Sequence, residues 1–361
     1  DVFKFAGDAV LVLWRAPPRE LAKTISLVLQ CSRQIQRKCG NRDTHVGQKI
    51  QLKIGISAGP MDLLVVGDRR RQYFLICGEA LDEVCEAEEL ANAGEVILSA
   101  TSWELCEQHR LRTRRLAGKR AVKVGGWHGL PVAMPSRRVS PGYRHGTDVL
   151  ARTPRPGWWS HPALVFQLDD RVPLDLFSEL RPVTSLFVQL HLTAGISTVD
   201  IRTLIHDASR MMLEILCPHK GEINKIVLFD KGCMFLCVFG LSGEKLPYES
   251  IHALQSAIQI FNSCSTMLLE IEAVSVAVTS GMAFCGVTGH PLRHEYTVIG
   301  QKVNLAARMM VHYPGLVSCD AVTYASSRLP PYYFKELLEK KMKGLSHPAT
   351  LYQYVGITEK R

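Results

Sequence analysis

Asn304 and Arg308 lie four residues apart in the stretch YTVIGQKVNLAAR, which runs from Tyr296 to Arg308. A short β-branched strand leads through a glycine turn into a helix, and a spacing of four puts the amide and the guanidinium on one helical face. With Thr297 on the preceding strand, these side chains describe a nucleotide-reading site. A guanidinium can neutralise the charge that shifts across phosphate oxygens, and an amide can orient a ribose by hydrogen bonding. Phosphoryl transfer needs those two services more than it needs a covalent nucleophile. Alone, either residue would read as a surface salt bridge or cap; together, after a reading strand, they read as a site.

Base choice follows from donors and acceptors. Adenine offers an acceptor at N1 and a donor at N6, which suit a lysine and a hydroxyl, whereas guanine offers donors at N1 and N2 that call for a carboxylate. Lys225, set among apolar neighbours in EINKIVLF, and Thr297 therefore favour adenine. The bland alternative for Lys225 is a snorkelling edge-strand lysine, against which stands the cost of an unpaired ammonium among apolar neighbours.

The chain carries a second copy of this pattern. Residues from Lys53 to about Ala91 align without a gap on Ser275 to about Tyr313 at a shift of 222, so that Gly59, Val65, Gly67 and Gly78 fall on Gly281, Val287, Gly289 and Gly300. Two copies in one chain predict a pseudo-symmetric pair. The chemistry is unequal, because Thr297, Asn304 and Arg308 face Leu75, Asp82 and Glu86. That asymmetry predicts one catalytic pocket and one vestigial or regulatory pocket.

The elements that would position these residues follow the same order in both halves. In the second half PVTSLFVQLHL reads as a strand, VDIRTLIHDASRMMLEIL as an amphipathic helix, and EINKIVLFDKGCMFLCVFG as a hairpin turning at Asp230, Lys231 and Gly232. A helix from about Tyr248 to Met267 follows. After it come a strand through Val274 to Gly281, a short ribbon, the strand Tyr296–Ile299, the helix after Gly300 and a terminal strand at LYQYV. The order βαββαβ predicts an antiparallel sheet with helices on one face. The first half opens at the hairpin formed by Asp1–Asp8 and Ala9–Trp14, without the preceding strand and helix; a sheet edge left bare in this way points to a fragment of a longer protein.

Length and composition agree with two domains. The chain has 361 residues, 47% hydrophobic and 21% charged, enough for two cores of about 130 to 170 residues each. No apolar run approaches the roughly 18 to 20 residues of a membrane span, and the N-terminus lacks a signal-peptide layout. Eleven scattered cysteines with no CxxC pair read as reduced core thiols of a cytoplasmic protein and argue against a zinc site. Part of the net charge of +9 is local, since residues 127 to 162 hold five arginines, one acid and six prolines beside Trp127, Trp158 and Trp159. This stretch has neither helical nor strand period and reads as an interdomain linker. The remaining charge shows no interleaving of aromatic and basic residues, so nucleic acid is not an expected partner.

FKFAGDAVLVLW, QLKIGISAG and HEYTVIGQKVNLAARMM together resemble the paired catalytic halves of class III nucleotidyl cyclases, and most closely the soluble, bicarbonate-responsive adenylyl cyclases of animals. The resemblance covers Asp1 to about Val124 and Leu180 to Lys360. It implies an α+β fold of two ferredoxin-like βαββαβ cyclase domains forming a pseudo-symmetric intramolecular dimer. The first domain would be 1–125 and N-terminally incomplete, the linker 126–172 and the second domain 173–361. It also implies attack of the ATP ribose 3′-hydroxyl on the α-phosphate, giving 3′,5′-cyclic AMP and pyrophosphate with two divalent metals, Mg²⁺ or Mn²⁺, with Ca²⁺ a further ion accompanying ATP.

In the terms of that resemblance Arg308 and Asn304 are catalytic, and Lys225, Thr297, Val298 and the phosphate-contacting Lys53 bind ATP. The family's guanylyl members carry Glu and Cys where this chain has Lys225 and Thr297. Asp8, in KFAGDA, matches one of two metal aspartates. The other would lie upstream of Asp1, and the matching strand of the second half offers only Gln189 and Leu190. Loss of one carboxylate weakens a two-metal site, so the alternative to an active fragment is a cyclase-fold nucleotide-binding module with impaired catalysis. In the second pocket Lys4 takes the lysine position of the family's bicarbonate site, beside Ile76, and the arginine position falls on Cys85. A neutral thiol cannot make a bidentate anion contact. Bicarbonate stimulation is therefore expected to be weak or absent unless Arg69 or Arg70 takes over.

Overall fold

The computed structural model describes residues 2–6, 9–43, 47, 49–67, 72–128, 178–193, 195–229, 232–267, 270–290, 293–340, 342 and 350–356. Asp8, Arg69, Arg70, the turn residues Asp230 and Lys231, and nearly all of the linker expected over 126–172 lie outside these residues.

In chain order the first elements are β1 (Val2–Ala6), β2 (Ala9–Val12), α1 (Leu21–Cys39), β3 (Asn41–Asp43), β4 (Lys49–Gln51), β5 (Ile54–Ile56), β6 (Asp62–Gly67) and β7 (Gln72–Cys77). There follow α2 (Glu79–Leu90), β8 (Val96–Leu98), α3 (Ala100–Leu105), β9 (Leu111–Arg115) and β10 (Val122–Trp127). The later part holds β11 (Glu179–Leu192), α4 (Thr198–Leu216), β12 (Glu222–Phe229), β13 (Gly232–Phe239), α5 (Glu249–Met267), β14 (Ile271–His290) and β15 (Arg293–Ile299). It ends with α6 (Gln301–His312), β16 (Val317–Asp320), α7 (Ala321–Ser327), β17 (Phe334–Glu336) and β18 (Leu351–Tyr354).

Contacts divide the chain into two compact units. One holds the described residues of 13–63 and 76–128, the other those of 2–12, 64–75 and 178–356. In the first unit β5, β8, β10 and β9 form a four-stranded sheet in that order, with β5 and β8 parallel. Helix α1 buries Ile25, Val28 and Leu29 against Ile56, Val96 and Leu98 of that sheet. Fully burying a side chain of this size is worth about 1.5–3 kcal/mol.

The second unit is built on an eight-stranded sheet running β12-β13-β11-β14-β16-β18-β17, with β15 pairing β14. The first four positions are the second, third, first and fourth strands of the βαββαβ unit, which is the ferredoxin-like order. The sheet is not wholly antiparallel, because β14 and β16 pair in parallel. The strand expected over Val274–Gly281 runs on to His290, and that extension forms the ribbon with β15. Helix α6 packs Val303, Leu305, Ala306, Met309 and Met310 into a core with Ala277, Ala283, Cys285 and Val298. This buried stripe leaves Asn304 and Arg308 on the other face. The hairpin β1–β2 and residues 64–67 and 72–75 of the hairpin β6–β7 belong to this second unit.

Candidate functional site

Strand β15 and helix α6 place the residues that the sequence singled out. Gly300 joins them, and a Cβ there would come within 3.0 Å of the Met282 carbonyl oxygen; a bare backbone lets the helix start directly against β14. Asn304 is exposed and Arg308 half-buried. Among the described residues neither the Asn304 amide nor the Arg308 guanidinium has a hydrogen-bond or ion-pair partner. Both groups are free to engage a ligand.

Lys225 and Thr297, both candidates for reading the base, lie in contact. Both are buried, and Lys225 Nζ donates to Thr297 Oγ1 at 2.7 Å and to the Phe5 carbonyl at 2.6 Å, with Glu295 Oε1 at 3.5 Å. Three acceptors thus meet the three N–H donors of an ammonium. Burial pulls the Lys225 pKa below the ordinary lysine value, and the Glu295 carboxylate opposes that shift. Val298, one residue on, turns its side chain into the core, so only its main chain is available to a nucleotide.

Glu295 was not foreseen. Its Oε2 accepts from the Phe5 backbone N–H at 3.2 Å while Oε1 faces Lys225. The signal was present in period two: residues 295 and 297 share a strand face, so an acid two places before the reading threonine lies beside the same lysine.

Lys4 occupies the place in its hairpin that Lys225 holds in β12–β13. Each follows a bulge, between Val2 and Lys4 in one hairpin and between Ile223 and Lys225 in the other, and each is paired with a leucine, Leu11 and Leu236. The two lysines exchange bonds: Lys4 Nζ donates to the Ile226 carbonyl at 2.5 Å and to the Phe74 carbonyl at 3.0 Å, as Lys225 does to Phe5. Tyr73 completes the set by donating to the Ile223 carbonyl at 3.0 Å.

The remaining candidates lie in the first unit. Lys53 is exposed and pairs with Glu88, Nζ to Oε1 at 2.9 Å, while also donating to the Glu88 carbonyl at 3.0 Å. Ile76 is buried, and Cys85 is half-buried on α2. The metal candidate Asp8 lies outside the described residues, among which no cluster of three or more His, Cys, Asp or Glu gathers. All eleven cysteines are free thiols. Among the described residues no helix is long and apolar enough to cross a membrane.

A strand–glycine–helix junction whose amide and guanidinium have no partner among the described residues, in the same unit as a buried lysine–threonine pair on a ferredoxin-like sheet, has a match among known families. The profile of the adenylate and guanylate cyclase catalytic domain matches residues 3–130 and 176–356. This chain belongs to that family, and the two matched segments agree with paired domains. Among individual proteins it is similar to adenylate cyclase type 10 of Oryctolagus cuniculus, with 42% identity over 381 residues covering all of this chain and 23% of that protein. The human adenylate cyclase type 10 is likewise 42% identical over 378 residues, with the same coverage. The chain thus spans about a quarter of the length of these relatives. Among solved structures, that of the adenylyl cyclase CyaB from P. aeruginosa aligns at 19% identity and a TM-score of 0.44, over 50% of this chain and 97% of that one.

Proposed function

We propose that this chain is the catalytic core of an adenylate cyclase, with cyclase domains over 1–125 and 173–361 joined by a linker over 126–172. It converts ATP to 3′,5′-cyclic AMP and pyrophosphate. The observation that carries the reading is the pair Asn304 and Arg308 on α6, without a side-chain partner among the described residues, in the same unit as the buried Lys225–Thr297 pair. Arg308 neutralises charge on the α-phosphate oxygens as the 3′-oxygen attacks. Asn304 holds the ribose so that attack is in line. Lys225 turns one N–H from its 3.5 Å contact with Glu295 to adenine N1 while Phe5 and Thr297 keep the other two, and Thr297 accepts from N6, with the Val298 main chain alongside. Lys53, which pairs with Glu88, is the residue proposed to contact a phosphate.

The reaction uses divalent metals, Mg²⁺ or Mn²⁺, with Ca²⁺ a further ion accompanying ATP. Such ions activate the attacking oxygen and neutralise the leaving phosphates. Asp8 is the residue of this chain proposed to hold one. Bicarbonate stimulation, for which Lys4, Ile76 and Cys85 are the candidate residues, is weak or absent, because a thiol at Cys85 cannot make the bidentate anion contact of an arginine. Eleven free thiols favour a reducing, cytoplasmic location.

The test is cyclic AMP formation by the full chain from ATP, with GTP as comparison, in Mn²⁺ or Mg²⁺. The expected result is turnover of ATP in preference to GTP, with Arg308→Ala lowering kcat by about 10³-fold while ATP binding persists. Binding of ATP with no turnover would replace this reading by that of an impaired nucleotide-binding module.

A further inference from the structure

Helix α6 begins without a side-chain cap, since Gly300 stands at its N-cap. Two tethers hold its first turn instead. Thr279 Oγ1 donates to the Lys302 carbonyl at 2.7 Å, and Lys302 Nζ meets Asp320 Oδ2 at 2.5 Å. Asp320 is 2% exposed, and its other oxygen caps α7 by accepting from the Thr323 N–H at 2.9 Å and hydroxyl at 2.6 Å. The Thr323 hydroxyl lies 3.0 Å from that of Ser280, which is also 2.9 Å from Thr184 and 3.2 Å from Ser250. A buried polar chain drawn from β11, β14, α5 and α7 therefore ends on Lys302, two residues before Asn304.

The first unit builds the same junction with less. Ser57, at the place of Thr279 in the shift of 222, donates to the Ala80 carbonyl just as Thr279 does to that of Lys302. There the likeness stops: Ala80 has no group to pair, and α3 is capped by the neutral Ser99. A strand–helix junction of this kind thus folds without an ion pair. The ion pair is added on the helix that carries Asn304 and Arg308. Its path is also prepared, since a Cβ on Gly281 would come within 2.6 Å of Lys302 Cγ.

We propose that Lys302 and Asp320 form a positioning pair that fixes the rotation and depth of α6, and through it the placement of Asn304 and Arg308 on the nucleotide. The inference rests on the nucleotide-binding reading of those two residues. Misplacing a catalytic group by about 1 Å costs on the order of 10²-fold in rate, which is enough to give such an anchor a use that folding alone does not.

Two variants of the full chain separate the anchor from the fold. Asp320→Asn keeps a capping oxygen for α7 and removes the charge; Lys302→Met keeps the apolar stem over Gly281 and removes the ammonium. Both are expected to speed hydrogen exchange at the amides of α6 about 10-fold with β14 and α5 unchanged, and to lower kcat about 10- to 100-fold with the KM for ATP held within about 3-fold. Lys302→Arg should behave as the unsubstituted protein. Unchanged α6 exchange in both variants, unchanged kcat in both, or an Lys302→Arg protein as impaired as Lys302→Met would overturn the proposal. If the unsubstituted protein turned over no ATP, the cyclase reading would fail on its own, and the exchange measurement would still decide whether the pair anchors α6.

Discussion

Helices α2 and α6 follow the same strand and glycine at a shift of 222 residues, yet their exposed faces are spent differently. On α2, Glu86 pairs with Lys119 at 3.0 Å, Glu88 with Lys53 at 2.9 Å, and the Thr101 hydroxyl donates to Glu83. On α6 the residues at the places of Asp82 and Glu86 are Asn304 and Arg308, whose side chains have no partner among the described residues. The strands differ as well. Pro60 stands where Met282 continues β14, and a proline has no N–H to give to a ladder; accordingly the first copy of the pattern has the short β5 and a separate β6 where the second copy has one strand of 20 residues. Leu75, 1% exposed, fills the position that Thr297 gives to Lys225. One backbone pattern thus serves twice, once with its polar groups closed on each other and once with them held open.

The sharpest way to break this contrast is to truncate the matched positions. Arg308→Ala is expected to lower kcat for cyclic AMP formation by about 10³-fold, and Glu86→Ala by less than about 2-fold, since it removes one member of an exposed surface pair. Equal losses from the two substitutions would mean that α2 and α6 do not divide the work as described.

A smaller effect is expected from making the reading strand like its counterpart. Thr297→Leu installs the residue found at position 75 and removes one of the three acceptors around Lys225. Losing that bond at a buried site should raise the KM for ATP roughly 10-fold, the equivalent of about 1.4 kcal/mol. A KM unchanged by the substitution would show that the base is read elsewhere.

The charge on Lys225 gives a pH test of the same pair. Burial lowers its pKa. Between that lowered value and the ordinary lysine value of about 10.4, the unfolded chain holds the proton and the folded protein does not, so stability rises with pH across this window. Below the window the folded protein bears the whole cost of the buried charge. Lys225→Met removes the linkage. The melting temperature of the unsubstituted protein relative to Lys225→Met should therefore increase as the pH is raised toward the ordinary lysine value; a difference that stays flat or narrows would mean that Glu295 and the two oxygen acceptors cancel the burial.

Much of this was legible beforehand, for physical reasons that can be named. Helix α6 showed in the sequence because its apolar stripe has helical period, and that stripe is what the core buries. That Lys225 needs an acceptor was legible, because an unpaired ammonium among apolar neighbours is costly; that Thr297 supplies one was not. The length of β14 was not legible either: the sequence reads the strand as ending at Gly281, but pairing with β11 on one side and β15 on the other satisfies the backbone beyond it. The equivalence of Lys4 and Lys225 was hidden by the unequal length of the two hairpins, since Lys4 and its partner Leu11 are 7 residues apart and Lys225 and Leu236 are 11 apart, which an ungapped shift cannot register. The exchange of carbonyls between the two hairpins, and the anchor on Lys302, depend on contacts between distant segments for which no local pattern stands.

The smallest expected effect tests the closed side of the comparison. If α2 is only structural, its ion pairs are ordinary surface pairs, and Lys119 and Glu86 are both largely solvent-exposed, at 49% and 58%. Such a pair holds two long side chains in place against their own entropy in high dielectric, so it contributes about 0.5 kcal/mol or less. Lys119→Ala should accordingly shift the melting temperature by no more than about 1–2 °C and leave cyclic AMP formation as it was. A large loss of activity in Lys119→Ala, with the melting temperature unmoved, would mean that freeing Glu86 disturbs the nucleotide site. The acidic face of α2 would then be a working part of the enzyme, and the division between an open and a closed copy would have to be given up.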